Sequence, residues 1–168
     1  DRRDANIALL KGKSIIPLVK THSEVPGKFK AGGQSAMRFS RIIEGAAKDH
    51  YKKVAEYMKE AFLSMPGLKG IIVGGPGPTK YDLVEGGYIT NEVKKKIIAI
   101  KDLGYTGEFG LEDLLEKSQD VLAAEDVVEE KKIVNKFLEM LATKQKMASY
   151  GEADVMSKIK MGVADKVL

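Results

Sequence analysis

The sequence predicts an α/β protein: a mixed β-sheet with long flanking helices and an extended Gly-Gly-Gln tip, followed by an incomplete second α/β domain. Three observations carry that prediction. Short apolar runs that read as strands alternate with amphipathic helical runs. One run, from Gln34 to about Leu63, repeats Phe39, Ile43, Ala47, Tyr51, Val54, Met58 and Phe62 at steps of four and three, which is a long amphipathic helix. Directly before it stands Gly32-Gly33-Gln34, between Lys28 and Lys30 on one side and Arg38 and Arg41 on the other. Two glycines reach backbone regions closed to residues with a Cβ and let the main chain come close to another molecule. A Gly-Gly pair alone usually marks only a turn; here the basic flanks suggest contact with something large and negatively charged.

Composition narrows the chemistry. At 168 residues the chain holds one domain or two small ones, with length enough for a hydrophobic core. It has no Cys, which removes disulfides, thiolate nucleophiles and most zinc arrangements, and only two His, His22 and His50, so no metal or cofactor is expected. Its apolar runs are shorter than a membrane span and Asp1-Arg2-Arg3-Asp4 is no signal peptide, so a cytoplasmic protein without a membrane partner is expected. The net charge of +4 is unevenly placed: residues 1–64 hold 13 Lys and Arg against 7 Asp and Glu, and residues 65–168 hold 15 against 17. The half that carries the Gly-Gly-Gln is the basic half, which favours a polyanion such as nucleic acid.

In chain order, residues 5–10 and 14–20 are apolar runs joined by Lys11-Gly12-Lys13, a hairpin signal. Pro17 cannot donate to a ladder, so the second run is expected to be an edge strand or bulged there. A third extended piece is expected over Lys20 to Val25, before Pro26-Gly27 breaks the pattern. A helix starting behind the glycines brings its unpaired N–H groups and positive dipole end to the tip. Arg38 and Arg41 fall on its first turns, with Lys48, Lys52, Lys53 and Lys59 beyond. Met65-Pro66-Gly67 stops it, and Leu68 to Val73 suits a buried strand.

Gly74-Gly75-Pro76-Gly77-Pro78-Thr79-Lys80 then resembles a phosphate-cradling loop, but the order is Thr-Lys and two prolines remove the N–H donors a cradle needs, so no nucleotide site is expected. A short helix over Ile89 to Lys96 and a strand over Ile97 to Ile100 follow. Gly104 to Gly110 is a glycine-rich connection, and Leu111 to about Ala124 is helical. A second long charged helix is expected from Glu125 to about Ser149, with a domain boundary near residue 123. A short helix over Ala153 to Met161 and the start of a strand over Val163 to Leu168 end the chain, and a strand without a return partner reads as part of a longer protein.

No nucleophile–base set is visible. Ser35 lacks a Gly-x-Ser-x-Gly elbow and reads as a polar helix-start residue. Asp49 and His50 are neighbours on a helix and point apart, so His50 is expected at the surface. Gln34 is neutral and no general base, yet its backbone N–H and side-chain amide suit stabilisation of an oxyanion and positioning of a water. A partner must supply the rest of such a site.

At Ala31-Gly32-Gly33-Gln34-Ser35-Ala36-x-Arg38-Phe39-x-Arg41, then His50-Tyr51-x-Lys53-Val54, Gly-Pro-Gly-Pro-Thr-Lys at 75–80 and Tyr105-Thr106-Gly107-Glu108-x-Gly110, the sequence resembles the class I peptide chain release factors of archaea and eukaryotes. The resemblance covers residues 1–123 as the middle domain and 124–168 as the beginning of the third. It implies entry into the ribosomal A site at stop codons and hydrolysis of the peptidyl-tRNA ester in the peptidyl transferase centre. Gly32 and Gly33 shape the loop there, and Gln34, a methylation target in the family, positions the attacking water. By the same resemblance, Lys28, Lys30, Arg38 and Arg41 are expected to hold the loop and helix start against large-subunit rRNA phosphates. The third domain, whole, is implied to dock a translational GTPase and a recycling ATPase. Lys30 departs from the Arg of many relatives and loses its planar fork. Two other readings stay open: a ribosome-rescue relative, which typically lacks the Gly-Gly-Gln, and a plain RNA-binding module in which the glycines are a turn.

Overall fold

The computed structural model describes residues 1–23, 34–143 and 147–167, with the backbone alone for Gln34, Ser35 and Ala36. The described chain forms two compact units, residues 1–121 and 122–168.

The first unit opens with the expected hairpin, β1 (Asp4–Lys11) antiparallel to β2 (Ser14–His22). Its two-residue loop depends on Gly12, at a φ of 61°. Ile7 pairs with Val19 and Ala8 with Pro17, so Leu18 is the extra residue of a bulge beside the proline, as the missing N–H requires. β2 runs through His22, so residues 20–22 lengthen the second strand instead of starting a third; the Ser23 N–H donates to the Arg3 carbonyl oxygen, and Glu24 and Val25 lie outside the described residues.

The long helix, α1 (Gln34–Leu63), is 30 residues long. β3 (Ile71–Gly75) and β4 (Ile97–Asp102) pair in parallel, joined through α2 (Thr79–Glu85) and α3 (Asn91–Lys94). The α/β class holds with both pairing senses, distributed among the described residues over two two-stranded sheets rather than one. α2 was not expected, because its start is written in Gly and Pro; Pro78 stands at its N-cap, where a missing N–H costs nothing. The core gathers Ile7 of β1, Val54, Ala55, Met58 and Phe62 of α1, Ile71 and Val73 of β3, Val84 of α2, and Ile89 and Val93. Tyr51 of α1 meets Tyr88 with ring centroids 5.5 Å apart, tilted by 59°.

Helix boundaries near the end of this unit differ from expectation. α4 (Glu108–Glu116) stops at Lys117-Ser118, and α5 (Gln119–Thr143) runs unbroken through the expected gap at 124–125. The physical reason is compositional: no Gly or Pro lies within α5, and Ala123-Ala124 are the strongest helix formers available. Ser118, fully buried, marks the true break.

In the second unit α5 and α6 (Glu152–Lys160) leave no residue fully buried. The N-terminal end of α6 is fixed by Ser149 and Lys158, both bonded to Asp154, and by Gly151 at a φ of 87°. Residues 163–167 form no strand: Gly162 turns the chain at a φ of 69° after α6, and none of the described strands lies in residues 122–167 to share a ladder.

Candidate functional site

Burial along α1 divides the helix. Ala47, His50, Tyr51, Val54, Ala55, Met58 and Phe62 are buried, whereas none of residues 37–46 is. The last four turns are therefore the anchor, and the turns before them extend from it. Gln34, 13 residues before Ala47, lies roughly 20 Å along the axis from the first buried side chain, at 1.5 Å per residue. Met37 and Ile42 expose large apolar side chains on this extension, at 67% and 47%. As the first residue of α1, Gln34 has a backbone N–H with no intrahelical partner, and the helix dipole places positive potential around it. Its side chain, together with Lys28, Lys30, Gly32 and Gly33, lies outside the described residues.

Arg38 and Arg41 are both exposed, one turn apart on the extension. Lys48, Lys52 and Lys59 are exposed as well. At about 100° per residue the five fall within a stripe roughly 80° wide, and from Arg38 to Lys59 it spans roughly 32 Å. Asp49, Glu56 and Glu60 run along one margin of the stripe, and Lys52 meets Asp49 at 3.3 Å with both side chains largely in water. Such a pair is worth little, so the lysine remains available to a phosphate.

His50 is buried, at 3% exposure, and not at the surface as expected. The reason is helical spacing: it falls three after Ala47 and four before Val54, on the core-facing side. Neither ring nitrogen has a hydrogen-bond partner among the described residues, and burial holds the imidazole below its ordinary pKa. Burial likewise raises the Tyr51 phenol, with Asp82 adding to the effect. Both side chains border a cavity of about 170 Å³ lined mainly by core residues such as Ile7, Val54, Ile71 and Leu114.

The Gly-Pro-Gly-Pro-Thr-Lys segment uses its lysine internally. Lys80 is buried on α2, donating to the Gly77 carbonyl oxygen at 2.6 Å and to the Asp102 carboxylate, and its ammonium stands 4.6 Å from the Tyr81 ring centroid. The ammonium thus closes the loop onto the end of β4 instead of facing a nucleotide. Nothing in the residue order announced this burial. Among the described residues no group of His, Asp and Glu could hold a metal ion, and no helix is long and apolar enough to cross a membrane.

Comparison with known proteins gives this geometry a context. The profile of eRF1 domain 2 matches residues 1–124, and that of eRF1 domain 3 matches residues 127–168. Over its whole length the chain is 48% identical to peptide chain release factor subunit 1 of Methanobrevibacter smithii, 47% to that of Methanopyrus kandleri and 46% to that of Pyrococcus abyssi. It spans 41% of the length of each of these relatives. A crystal structure of the archaeal translation termination factor aRF1 superposes with a TM-score of 0.61 at 31% identity, covering 96% of this chain and 45% of that one. On these matches, with domain 2 over residues 1–124 and domain 3 over residues 127–168, the chain belongs to the eRF1 family of peptide chain release factors.

Proposed function

We propose that this chain is the peptide-releasing part of a translation termination factor, acting in the cytoplasm in the ribosomal A site at stop codons. The observation that carries the reading is the position of Gln34. It follows two glycines in sequence and begins a helix whose opening turns are free of the core, in a chain of the eRF1 family. Such a helix delivers a backbone N–H into a narrow cleft while its far end stays anchored.

In this reading Gly32 and Gly33 let the main chain approach the peptidyl-tRNA ester. Gln34 then offers its N–H to the developing oxyanion and orients the attacking water, with the ribosome supplying the remaining groups. The isolated chain is no enzyme. Lys28, Lys30, Arg38 and Arg41 hold the loop and helix start against large-subunit rRNA phosphates, where basic side chains set position rather than sequence preference. Residues 1–123 form the releasing domain and 124–168 begin the third domain, a division supported by the change of compact unit after Val121 and the change of family profile between 124 and 127. The complete third domain docks a translational GTPase and a recycling ATPase.

The test is peptide release from stop-codon ribosomes by the full-length factor carrying Gly33→Ala, with ribosome binding measured in parallel. Release is expected to fall by about 10² to 10³, the effect of displacing one oxyanion donor, while binding persists. Unchanged release would show that the glycines are only a turn.

A further inference from the structure

The loop between β4 and α4 and the first turn of α4 are tightly held, yet each turns an aromatic side chain to solvent, Tyr105 and Phe109. The Asn6 side-chain amide of β1 donates to the Thr106 carbonyl oxygen. Gly110 packs against the Tyr105 carbonyl so closely that a Cβ there would lie 2.3 Å from the oxygen. Against this fixed backbone Tyr105 is 72% exposed and Phe109 78%. Rigidly presented aromatic side chains cost little conformational entropy when a partner covers them, which is why they anchor interfaces.

Carboxylates dominate the segment that bears them. Between Lys101 and Lys117 the sequence holds Asp102, Glu108, Glu112, Asp113 and Glu116 and no basic residue. Asp102 is bonded to Lys80, and Asp113 to Lys117 at 3.0 Å. Glu108, Glu112 and Glu116 are exposed and have no ion-pair partner among the described residues. At spacings of four they form one ridge along α4 with Phe109 beside it. Like charges at that spacing repel, so the ridge lowers the stability of the free helix. A phosphate backbone is repelled by the same ridge.

We propose that Tyr105, Phe109 and the Glu108-Glu112-Glu116 ridge form a docking surface for an arginine-rich polypeptide segment. Guanidinium groups stack on aromatic faces and accept the bidentate geometry of carboxylates, so one side-chain type satisfies both halves of the surface. The surface uses none of the residues of the release reading and does not rest on it.

The experiment follows the Tyr105 and Phe109 ring resonances of the isotope-labelled chain during titration with deca-arginine, deca-lysine and deca-uridylate. Deca-arginine is expected to move both rings saturably, deca-lysine to bind at least about threefold more weakly for want of a planar fork, and deca-uridylate to leave the rings unmoved. The combined Glu108→Gln, Glu112→Gln and Glu116→Gln variant relieves repulsion and keeps a dispersed spectrum, yet weakens deca-arginine by about tenfold as charge-assisted bonds are lost. Rings that do not respond to deca-arginine, equal affinity in the triple variant, or rings that respond to deca-uridylate would each overturn the proposal.

Discussion

Lys80 and Asp102 make an ion pair of unequal partners: the lysine side chain is 1% exposed and the aspartate 82%. The buried partner closes the β3–α2 loop through Gly77, so the charge that cannot reach water is also the one that fixes the fold. Replacing Asp102 with Asn leaves that ammonium without its counter-charge, whereas Lys80→Met removes the charge and keeps most of the buried stem. Asp102→Asn is therefore expected to cost about 2–3 kcal/mol and Lys80→Met about 1 kcal/mol, with the double variant close to Lys80→Met alone. Urea denaturation of the three variants checks the order, and a reversed order contradicts the account.

His50 makes stability depend on pH in a defined window. Its folded pKa is lowered by burial, so at acid pH the unfolded chain binds more protons and stability falls as pH falls. The loss begins near the unfolded value of about 6.5 and grows as pH falls toward 5. The Asp4 carboxylate, held low first by its hydrogen bond to His22, contributes stability that is lost only below its ordinary value of 3.8, outside this window. His50→Phe keeps a ring of similar size and drops both unpartnered nitrogens, so it is expected to flatten the profile between pH 7 and pH 5. Thermal unfolding across that range reads the effect; an unchanged slope in the variant places the titration elsewhere.

The stripe along α1 predicts a separation of binding from chemistry. Lys48, Lys52 and Lys59 lie beyond the extended turns that bear Gln34, so replacing all three with Gln is expected to weaken ribosome binding of the full-length factor and reduce its salt slope by up to about 3. The release rate from saturated ribosomes stays the same. An unchanged salt slope would assign these lysines to an ordinary solvated surface.

Much of the fold can be read directly from the residues. The hairpin follows from two apolar runs around Lys11-Gly12-Lys13, the bulge from Pro17, and α1 from an apolar repeat at steps of four and three. These features are local: each depends on side-chain period, a missing N–H or a positive φ within a few residues. Of the candidate site, the start of α1 at Gln34 and the exposed Arg38 and Arg41 on its first turns follow from the same local pattern, while Lys28, Lys30, Gly32 and Gly33 lie outside the described residues.

Features that depend on distant residues were misread or left unread. His50 looks like a surface residue beside Asp49, and only the packing of α1 against β1 and β3 buries it. α5 passes through the helix end expected near Ala124 because helix continuity is governed by the absence of breakers, and the strand expected over Val163 to Leu168 does not form over 163–167 because a ladder needs a partner. Lys80 reads as one more basic residue until Asp102, 22 positions away, meets it. Residue order is enough for the periodicities, the turns and the family. Where α1 leaves the core, which charges are buried and which aromatics face water follow from packing, because burial is set by what residues far apart in the chain bring together.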